Sequence, residues 1–213
     1  MDRKCSAVVL AGGRSARMGR PKATLTFGAE TIVERIVGEL ARRFDEIVIV
    51  AAPAEAESLP ASIREKALVI HDDTAYPGPL DALRRGLGAA AHEVVFACSC
   101  DLPMLDAGLA QGLCAMLDGY DAAIPKVGGK LQPLCAAYHR RCAAALSELG
   151  KRGVMRVREI IGAVNARIVD EDELRRFDPE LKSFLNVNTP EEYEKALRLA
   201  GLDPKTASQR SRR

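Results

Sequence analysis

The segment Ala7–Lys22, AVVLAGGRSARMGRPK, decides the fold class of this chain. Its apolar start is typical of a buried β-strand, and the strand runs directly into Gly12 and Gly13. Glycines let the backbone approach a ligand closely, and the N–H groups of such a loop can converge on an anion. Arg17 and Lys22 add positive charge just after the glycines. The segment predicts an α/β protein that binds a nucleoside triphosphate at the end of its first strand.

The spacing of this loop differs from the two commonest phosphate-binding motifs. Arg20-Pro21 separates Gly19 from Lys22, and Ala23 follows, so the loop is not a Walker A motif. The pattern G-x-G-x-x-G is not present in it either. On the residues of the loop alone, a glycine turn followed by a solvated basic loop stays open as the alternative.

Outward from this segment, apolar runs alternate with stretches of helical periodicity. The predicted strands are Ala7–Leu10, Glu46–Ala51, Ala67–His71, Glu93–Ser99, Ala122–Pro125, Gln132–Tyr138 and Ala166–Val169. The predicted helices are Thr31–Phe44, Leu80–Ala91, Leu105–Gly119, Arg140–Gly150, Gly153–Ile161 and Glu191–Ala200. Such alternation predicts a three-layer, Rossmann-like α/β fold, with a mainly parallel sheet covered by helices on both faces.

The loops that follow parallel strands meet at one edge of the sheet, which is where ligands bind in open α/β folds. We therefore expect the glycine loop, Asp72 or Asp73, and Asp101 to converge there. Asp101 follows the apolar stretch Glu93–Cys98, which we predict to be a central strand. A carboxylate at the mouth of such a strand is a candidate magnesium ligand. An Asx turn or a cap for the next helix is the alternative.

The bulk properties are those of a single globular domain. The chain has 213 residues and a formal net charge of +2, which does not suggest general nucleic-acid binding. We expect one domain over residues 1–200, followed by a disordered basic tail over 201–213, because the tail is polar and lacks apolar periodicity.

The spacing of the cysteines and the length of the apolar runs indicate the cellular compartment of the protein. The six cysteines have no spacing typical of a disulfide framework or a zinc site, so we expect buried thiols. No apolar run reaches transmembrane length, and no leader sequence is recognisable at the start. The sequence thus predicts a cytoplasmic protein without a membrane partner.

Five motifs in order resemble those of a known family. The pattern L-A-G-G-x-S-x-R-M-G-x-x-K, from Leu10 to Lys22, resembles the signature of the molybdenum cofactor guanylyltransferases, also called the molybdopterin-guanine dinucleotide biosynthesis protein A family, of the nucleotidyltransferase superfamily. The later motifs are Tyr76–Leu80, Cys98–Pro103, Gln132–Leu134 and Asn186–Pro190. The resemblance implies a nucleotide-diphospho-sugar transferase fold. It also implies transfer of GMP from GTP to molybdopterin, with Mg²⁺ as cofactor.

The resemblance further implies roles for individual residues. Arg17, Lys22 and Asp101 would be catalytic, with the two cations on the β- and γ-phosphates and Asp101 on the metal. The nucleotide-binding residues would be Leu10, Ala11, Gly12, Gly13, Lys22, Asp72, Gly78 and Asp101. Gln132, Asn186 and Asn188 would bind the pterin substrate. Two asparagines at i and i+2 of an extended segment project the same way, although turn-forming asparagines are the alternative.

Some positions depart from the family pattern. Relatives usually continue G-P-L-A-G, whereas this chain has Asp81 and Ala82 after Leu80. No asparagine occurs in the stretch 47–53, where relatives often place one against the nucleotide. One residue fewer precedes Gly78 than in close relatives, so Asp73 competes with Asp72 for the nucleotide. The details of nucleotide contact therefore stay open.

Three other functions remain as alternatives. The nearest is a CTP-dependent molybdenum cofactor cytidylyltransferase, but Gly12 and Gly78 favour GTP because such relatives usually carry L-A-A-G and lack the G-P-L turn. A sugar-phosphate nucleotidyltransferase is the second. The third is a noncatalytic nucleotide-binding module that hands cofactor to a partner, and the resemblance also admits proteins of molybdoenzyme maturation as partners.

Overall fold

A computed structural model describes residues 4–12, 25–71 and 78–203. The strands within these ranges are β1 Cys5–Leu10, β2 Thr26–Phe27, β3 Glu30–Thr31, β4 Glu46–Ala51, β5 Leu68–His71, β6 Val94–Ser99, β7 Ala122–Val127, β8 Lys130–Leu131, β9 Cys135–His139 and β10 Ala166–Val169. The α-helices are α1 Ile32–Leu40, α2 Pro53–Ser58, α3 Ala61–Arg64, α4 Pro79–Ala89, α5 Ala107–Ala115, α6 Cys142–Lys151, α7 Glu171–Leu174 and α8 Pro190–Leu199. Two 3-10 helices cover Val157–Gly162 and Lys182–Phe184.

The main sheet has the strand order β10-β7-β9-β6-β1-β4-β5, and β8 pairs with β7. β1 lies near the centre, parallel to β6 on one side and to β4 on the other. All six of its residues are buried, and all but Ser6 are apolar, because a strand covered on both faces carries apolar residues on both of them rather than in alternation. β9 alone on this path runs antiparallel to its neighbours β6 and β7. The carboxyl ends of the parallel strands and the start of β9 therefore share one edge.

Alternate residues of the central strands face two separate hydrophobic layers. Val9 and Ile49 face the layer that contains α1, α5 and α8, whereas Val8 and Val50 face the layer that contains α4 and α6. This division is the three-layer arrangement predicted from the alternation of strands and helices. The prediction of a mainly parallel sheet is confirmed.

α4 packs unusually close to β1, and a glycine makes this possible. A Cβ atom added at Gly86 would lie 2.4 Å from Cγ1 of Val8 and 3.2 Å from Cγ2 of Val50. Because α4 begins directly after Gly78, this close packing also fixes where the motif Gly78-Pro79-Leu80 meets the sheet.

The seven predicted strands are all present, with shifts of one to three residues at some ends. The prediction of a helix over Gly153–Ile161 is wrong, because the structure has a 3-10 helix at Val157–Gly162 instead. The predicted strand Gln132–Tyr138 begins only at Cys135, because residues 132–134 form a turn. Packing reaches two residues past the predicted domain boundary, since Leu202 is partly buried against the core.

Candidate active site

The end of β1 lies between the ends of two neighbouring strands. The backbone N–H of Ala11 donates to the carbonyl of Val50 at 2.8 Å, and the N–H of Cys100 donates to the carbonyl of Leu10 at 3.0 Å. Leu10 and Ala11 are buried, whereas Gly12 is exposed at the edge of the sheet. The chain thus leaves the sheet at Gly12, at the edge where the sequence predicts the nucleotide.

Several predicted nucleotide and catalytic positions lie outside the described residues. These are Gly13, Arg17, Lys22, Asp72 and Asp73. Leu10, Ala11, Gly12, Gly78, Asp101, Gln132, Asn186 and Asn188 lie within them. Their roles stay predictions, and their places in the fold are as follows.

Asp101 lies two residues beyond the end of β6, at the same edge as Gly12. Its side chain is half-buried, and the hydroxyl of Ser99 donates a hydrogen bond of 2.5 Å to its Oδ1. This hydrogen bond orients the side chain of Asp101 at the strand end. Sequence reasoning assigned no role to Ser99. The signal was available, because residues i and i+2 of an extended chain project to the same side.

The predicted pterin-side asparagines lie beside Asp101. The backbone N–H of Val187 donates to the carbonyl oxygen of Asp101 at 2.9 Å. Val187 is fully buried, whereas Asn186 is exposed and Asn188 is half-buried. The N–H of Asn188 donates to Oε2 of Glu192 at 2.7 Å, which joins this segment to the capped start of α8. Two motifs far apart in sequence therefore meet at Asp101.

Gln132 reaches the same edge because β9 is antiparallel and starts there. The N–H of Gln132 donates to the carbonyl of Pro125 at 2.8 Å, and the carbonyl of Gln132 accepts from Cys135 at 3.1 Å. The N–H of Ser99 donates to the carbonyl of Leu134 at 3.0 Å. These bonds attach the turn that carries Gln132 to the end of β6, beside Asp101.

Gly78 precedes the first residue of α4 and has a φ of +102° and a ψ of 165°, a conformation almost restricted to glycine. A Cβ atom at this position would lie 3.2 Å from Cε of Met155. Both residues lie next to a cleft of about 490 Å³ between α4 and α6, which Met155 and Leu80 help to line. Gly78 therefore lies beside the cleft, together with the start of α4 and the end of α6.

Asp81, which departs from the family pattern, forms ion pairs with two arginines of α4. Its carboxylate accepts hydrogen bonds from Nε of Arg84 at 2.7 Å and from Nε of Arg85 at 2.8 Å. Burial raises the pKa of Asp81, but the hydrogen bonds from Arg85 and Arg84 outweigh it, so the pKa lies below its ordinary value. An aspartate in the first turn also complements the helix dipole. The departure is explained by stabilisation of the helix start.

Two buried cysteines with neutral thiols lie on β6 and β9, the strands next to Asp101. Cys98 and Cys135 are directly opposite each other on β6 and β9, and burial raises the pKa of both thiols well above the ordinary value. All six cysteines are buried and free of disulfides, as predicted. Within residues 4–12, 25–71 and 78–203, no group of three His, Cys, Asp or Glu side chains could hold a metal ion. A metal ion bound at Asp101 would therefore need most of its ligands from groups other than these side chains.

Comparison with known proteins agrees with this architecture. Residues 7–168 match the family model of the MobA-like NTP transferase domain. A protein of Pelotomaculum thermopropionicum named "Probable molybdenum cofactor guanylyltransferase" is 35% identical over 91% of this chain and 92% of its own length. The "Molybdenum cofactor guanylyltransferase" of Desulfosudis oleivorans is 31% identical over 90% of this chain and 93% of its own length.

A solved structure shares the fold. The crystal structure of molybdopterin-guanine dinucleotide biosynthesis protein A from Archaeoglobus fulgidus superposes with a TM-score of 0.80 at 25% identity, covering 92% of this chain and 98% of that one. The chain belongs to the family of MobA-like NTP transferases and is a nucleotidyltransferase. The predicted family and the nucleotide-diphospho-sugar transferase fold are confirmed.

Proposed function

We propose that this nucleotidyltransferase transfers GMP from GTP to the phosphate of molybdopterin, forming the guanine dinucleotide cofactor and pyrophosphate. The observation that carries the proposal is the meeting of three segments at Asp101. The β1 exit at Gly12 is on one side of β6 and the Gln132 turn is on the other, and the asparagines flanking Val187 are attached to Asp101 itself. A donor nucleotide and an acceptor phosphate bound on these two sides would face each other across Asp101. The guanylyltransferase names of the relatives agree with this arrangement.

The transfer is a displacement at phosphorus. An oxygen of the pterin phosphate attacks the α-phosphorus of GTP and forms a new P–O bond. The bond between the α-phosphorus and the bridging oxygen breaks, and pyrophosphate leaves with its electron pair. The enzyme has to align the two phosphates and neutralise developing charge. The attacking phosphate is ionised at neutral pH, so no side-chain base is needed.

Two of the three histidines lie at the edge of the sheet opposite Asp101. His92 and His139 lie at the edge formed by the amino ends of the parallel strands. His92 precedes β6, and His139 is the last residue of the antiparallel strand β9. His71, the third histidine of the chain, ends the edge strand β5 and is exposed.

Arg17 and Lys22 are the cations that we assign to the leaving pyrophosphate. They follow Gly12 in the sequence by a few residues, and Gly12 leaves the sheet at the proposed nucleotide side. The guanidinium group of an arginine can bind two phosphate oxygens at once, whereas a lysine acts as a point charge. Both would stabilise the negative charge that grows on the β-phosphate as the bond breaks.

The donor set at Asp101 fits Mg²⁺. A single half-buried carboxylate, oriented by Ser99, leaves the other ligand positions to phosphate oxygens and water, which is the usual way in which proteins bind this ion with nucleotides. When bound there, Mg²⁺ would supply positive charge to the phosphate oxygens. The free thiols agree with a reducing compartment, and we place the reaction in the cytoplasm.

The test is to compare purified wild-type protein with Asp101→Ala and Asp101→Asn in an assay for the guanine dinucleotide with Mg²⁺. We expect both variants to lose at least about a hundredfold in rate, because each removes charge stabilisation at the reacting phosphates. Asp118→Ala, at an exposed position before β7, is the control and should keep the wild-type rate. Wild-type turnover by Asp101→Ala would overturn the metal assignment.

The same assay separates the alternatives. Turnover with GTP but not with CTP supports the guanylyltransferase, and the reverse result supports the cytidylyltransferase. Release of pyrophosphate excludes a noncatalytic nucleotide-binding module. Turnover with a sugar phosphate instead of molybdopterin would favour a sugar-phosphate nucleotidyltransferase.

A further inference from the structure

The C-terminal segment, residues 178–202, lies beyond the stretch 7–168 that the family model matches. It contains a 3-10 helix and α8, and its residues Phe184, Val187 and Leu197 are buried in the core. The segment is therefore part of the packed domain. It also makes polar contacts with the loop that carries Asp101 and with the hairpin of β2 and β3.

The first of these two segments is the loop after β6, which carries Asp101. At the start of the loop, the N–H of Val187 donates to the carbonyl of Asp101 at 2.9 Å. At its end, the N–H of Asp106 donates to Oγ of Ser183 at 3.0 Å. Ser183 is fully buried, and its own N–H donates to Oδ2 of Asp178 at 2.7 Å. Both ends of the loop are thus attached to the C-terminal segment.

The second segment is the hairpin of β2 and β3, which follows the glycine loop in the sequence. The phenol of Tyr193, on α8, donates a hydrogen bond to the carbonyl of Thr26 in β2. Thr26 follows Lys22 by four residues in the sequence. A Cβ atom at Gly28, in the turn between β2 and β3, would lie 3.3 Å from Cδ1 of Leu202. The hairpin at the end of the glycine loop therefore rests on α8.

We propose that Ser183 and Tyr193 are positioning residues, through which the C-terminal segment fixes the Asp101 loop and the β2–β3 hairpin relative to each other. The proposal rests on the proposed function, because its consequence is for transfer between two aligned phosphates. A small misplacement of the reacting groups is enough to slow such a reaction greatly. The two residues touch neither substrate in this proposal and act through the Asp101 loop and through the β2–β3 hairpin.

Tyr193→Phe tests the second contact, because it removes one hydroxyl group and keeps the ring. We expect KM for GTP to rise about fivefold while kcat changes little, which is the size of effect that one lost hydrogen bond gives. Ser183→Ala tests the first contact, because the N–H of Asp106 loses its acceptor. We expect the Mg²⁺ concentration for half-maximal rate to rise about fivefold and kcat to fall.

Two matched controls make the same chemical changes at the opposite edge of the sheet. Ser6 is fully buried, and its hydroxyl accepts the N–H of His92 at 3.1 Å. The hydroxyl of Ser6 also donates to Oε2 of Glu46 at 2.5 Å. Ser6→Ala should therefore cost at least as much thermal stability as Ser183→Ala but leave KM for GTP and the Mg²⁺ requirement unchanged. Tyr120→Phe, before the start of β7, should leave both quantities unchanged as well.

Hydrogen exchange of the nucleotide-free proteins gives a readout that does not need activity. We expect faster amide exchange over residues 25–31 in Tyr193→Phe and over residues 100–106 in Ser183→Ala, and in neither control. Unchanged exchange in these stretches, with KM and Mg²⁺ dependence within twofold of wild type, would overturn the proposal. A wild-type protein that transfers no GMP would instead contradict the proposed function. In that case the hydrogen-exchange result would still decide whether Ser183 and Tyr193 hold residues 100–106 and 25–31.

Discussion

The backbone N–H of Val187 donates a 2.9 Å hydrogen bond to the carbonyl oxygen of Asp101. This one bond joins the loop after β6 to the segment before α8. Since Val187 is fully buried, the asparagines on either side of it, Asn186 and Asn188, are left at the surface of the same edge. The proposed acceptor side of the site is therefore attached directly to the residue that we assign to the metal.

Asn188→Ala should weaken binding of the pterin acceptor. The backbone N–H of Asn188 would keep its bond to Glu192, so the start of α8 should stay intact and only the amide group is lost. We expect KM for molybdopterin to rise about fivefold to tenfold and KM for GTP to stay the same. Steady-state kinetics with each substrate varied in turn measures both. Asn165→Ala, at the amino edge, is the control, and a change in KM for GTP alone would place Asn188 on the nucleotide side.

Ser99→Ala should loosen the carboxylate of Asp101. The hydroxyl of Ser99 lies 2.5 Å from Oδ1 of Asp101, so its removal leaves the carboxylate less oriented but still charged. We expect the Mg²⁺ concentration for half-maximal rate to rise about threefold to tenfold, with a smaller loss of rate than in Asp101→Ala. A titration of rate against Mg²⁺ measures the effect. A variant with the Mg²⁺ dependence of wild type would show that the hydroxyl does not orient the ligand.

Gly86→Ala and Gly88→Ala should have opposite effects on stability, although both lie on α4. A Cβ atom at Gly86 would lie 2.4 Å from Cγ1 of Val8, whereas no atom lies within 4 Å of one at Gly88. We expect the first change to lower the free energy of unfolding by about 1–3 kcal/mol through overpacking. The second should raise it by about 0.5–1 kcal/mol, because alanine favours the helix. Urea denaturation measures both, and equal effects would contradict the close contact of α4 with β1.

Asp121 should make stability depend on pH in the acid range. The N–H of Asn165 and the guanidinium of Arg141 both bond to its carboxylate, so its pKa lies below the ordinary value. A lowered pKa in the folded state means that this stabilisation is full above about pH 4, the unfolded value, and is lost as pH falls through the folded value.

Asp121→Asn should therefore be less stable than wild type at pH 7, by about 1–2 kcal/mol, because it loses the charge that these donors stabilise. The difference should shrink below about pH 4. Thermal melts from pH 7 to pH 2.5 measure it. Asp118→Asn, at an exposed position nearby, should give no such trend, and a constant difference for Asp121→Asn across this range would contradict the assignment.

Much of the fold was predictable, because many of its elements are specified by short stretches of sequence. β1 and β6 are mainly apolar runs that glycine or aspartate follows two residues beyond the strand end, so their type follows from the sequence. The predicted helix Glu191–Ala200 is present as α8, and its start is local as well, because Thr189, Pro190 and Glu192 form a helix-start signal that needs no tertiary contact. The Asp101 position at a strand end follows from the same local pattern.

The orientation of β9 was not predicted, although the spacing contained a signal. Only residues 128–134 separate β7 from β9, and a parallel crossover needs a dozen residues or more. The antiparallel strand brings Gln132 to the same edge as Asp101. The short pair β2–β3 and the short helices α2, α3 and α7 were also not predicted, because elements of two to six residues carry too little periodicity.

By itself the sequence determined the central strands, the family motifs and the edge at which the loops after those strands gather, because hydrophobic runs and glycine turns act over a few neighbouring residues. Only the tertiary structure decided that Val187 bonds to Asp101, that Ser183 bonds to the end of the Asp101 loop, and that Tyr193 bonds to Thr26. Contacts across the fold depend on how helices and loops pack on the sheet, and the local pattern of residues does not specify that packing. The functional site is built from such contacts between segments that are distant in the sequence.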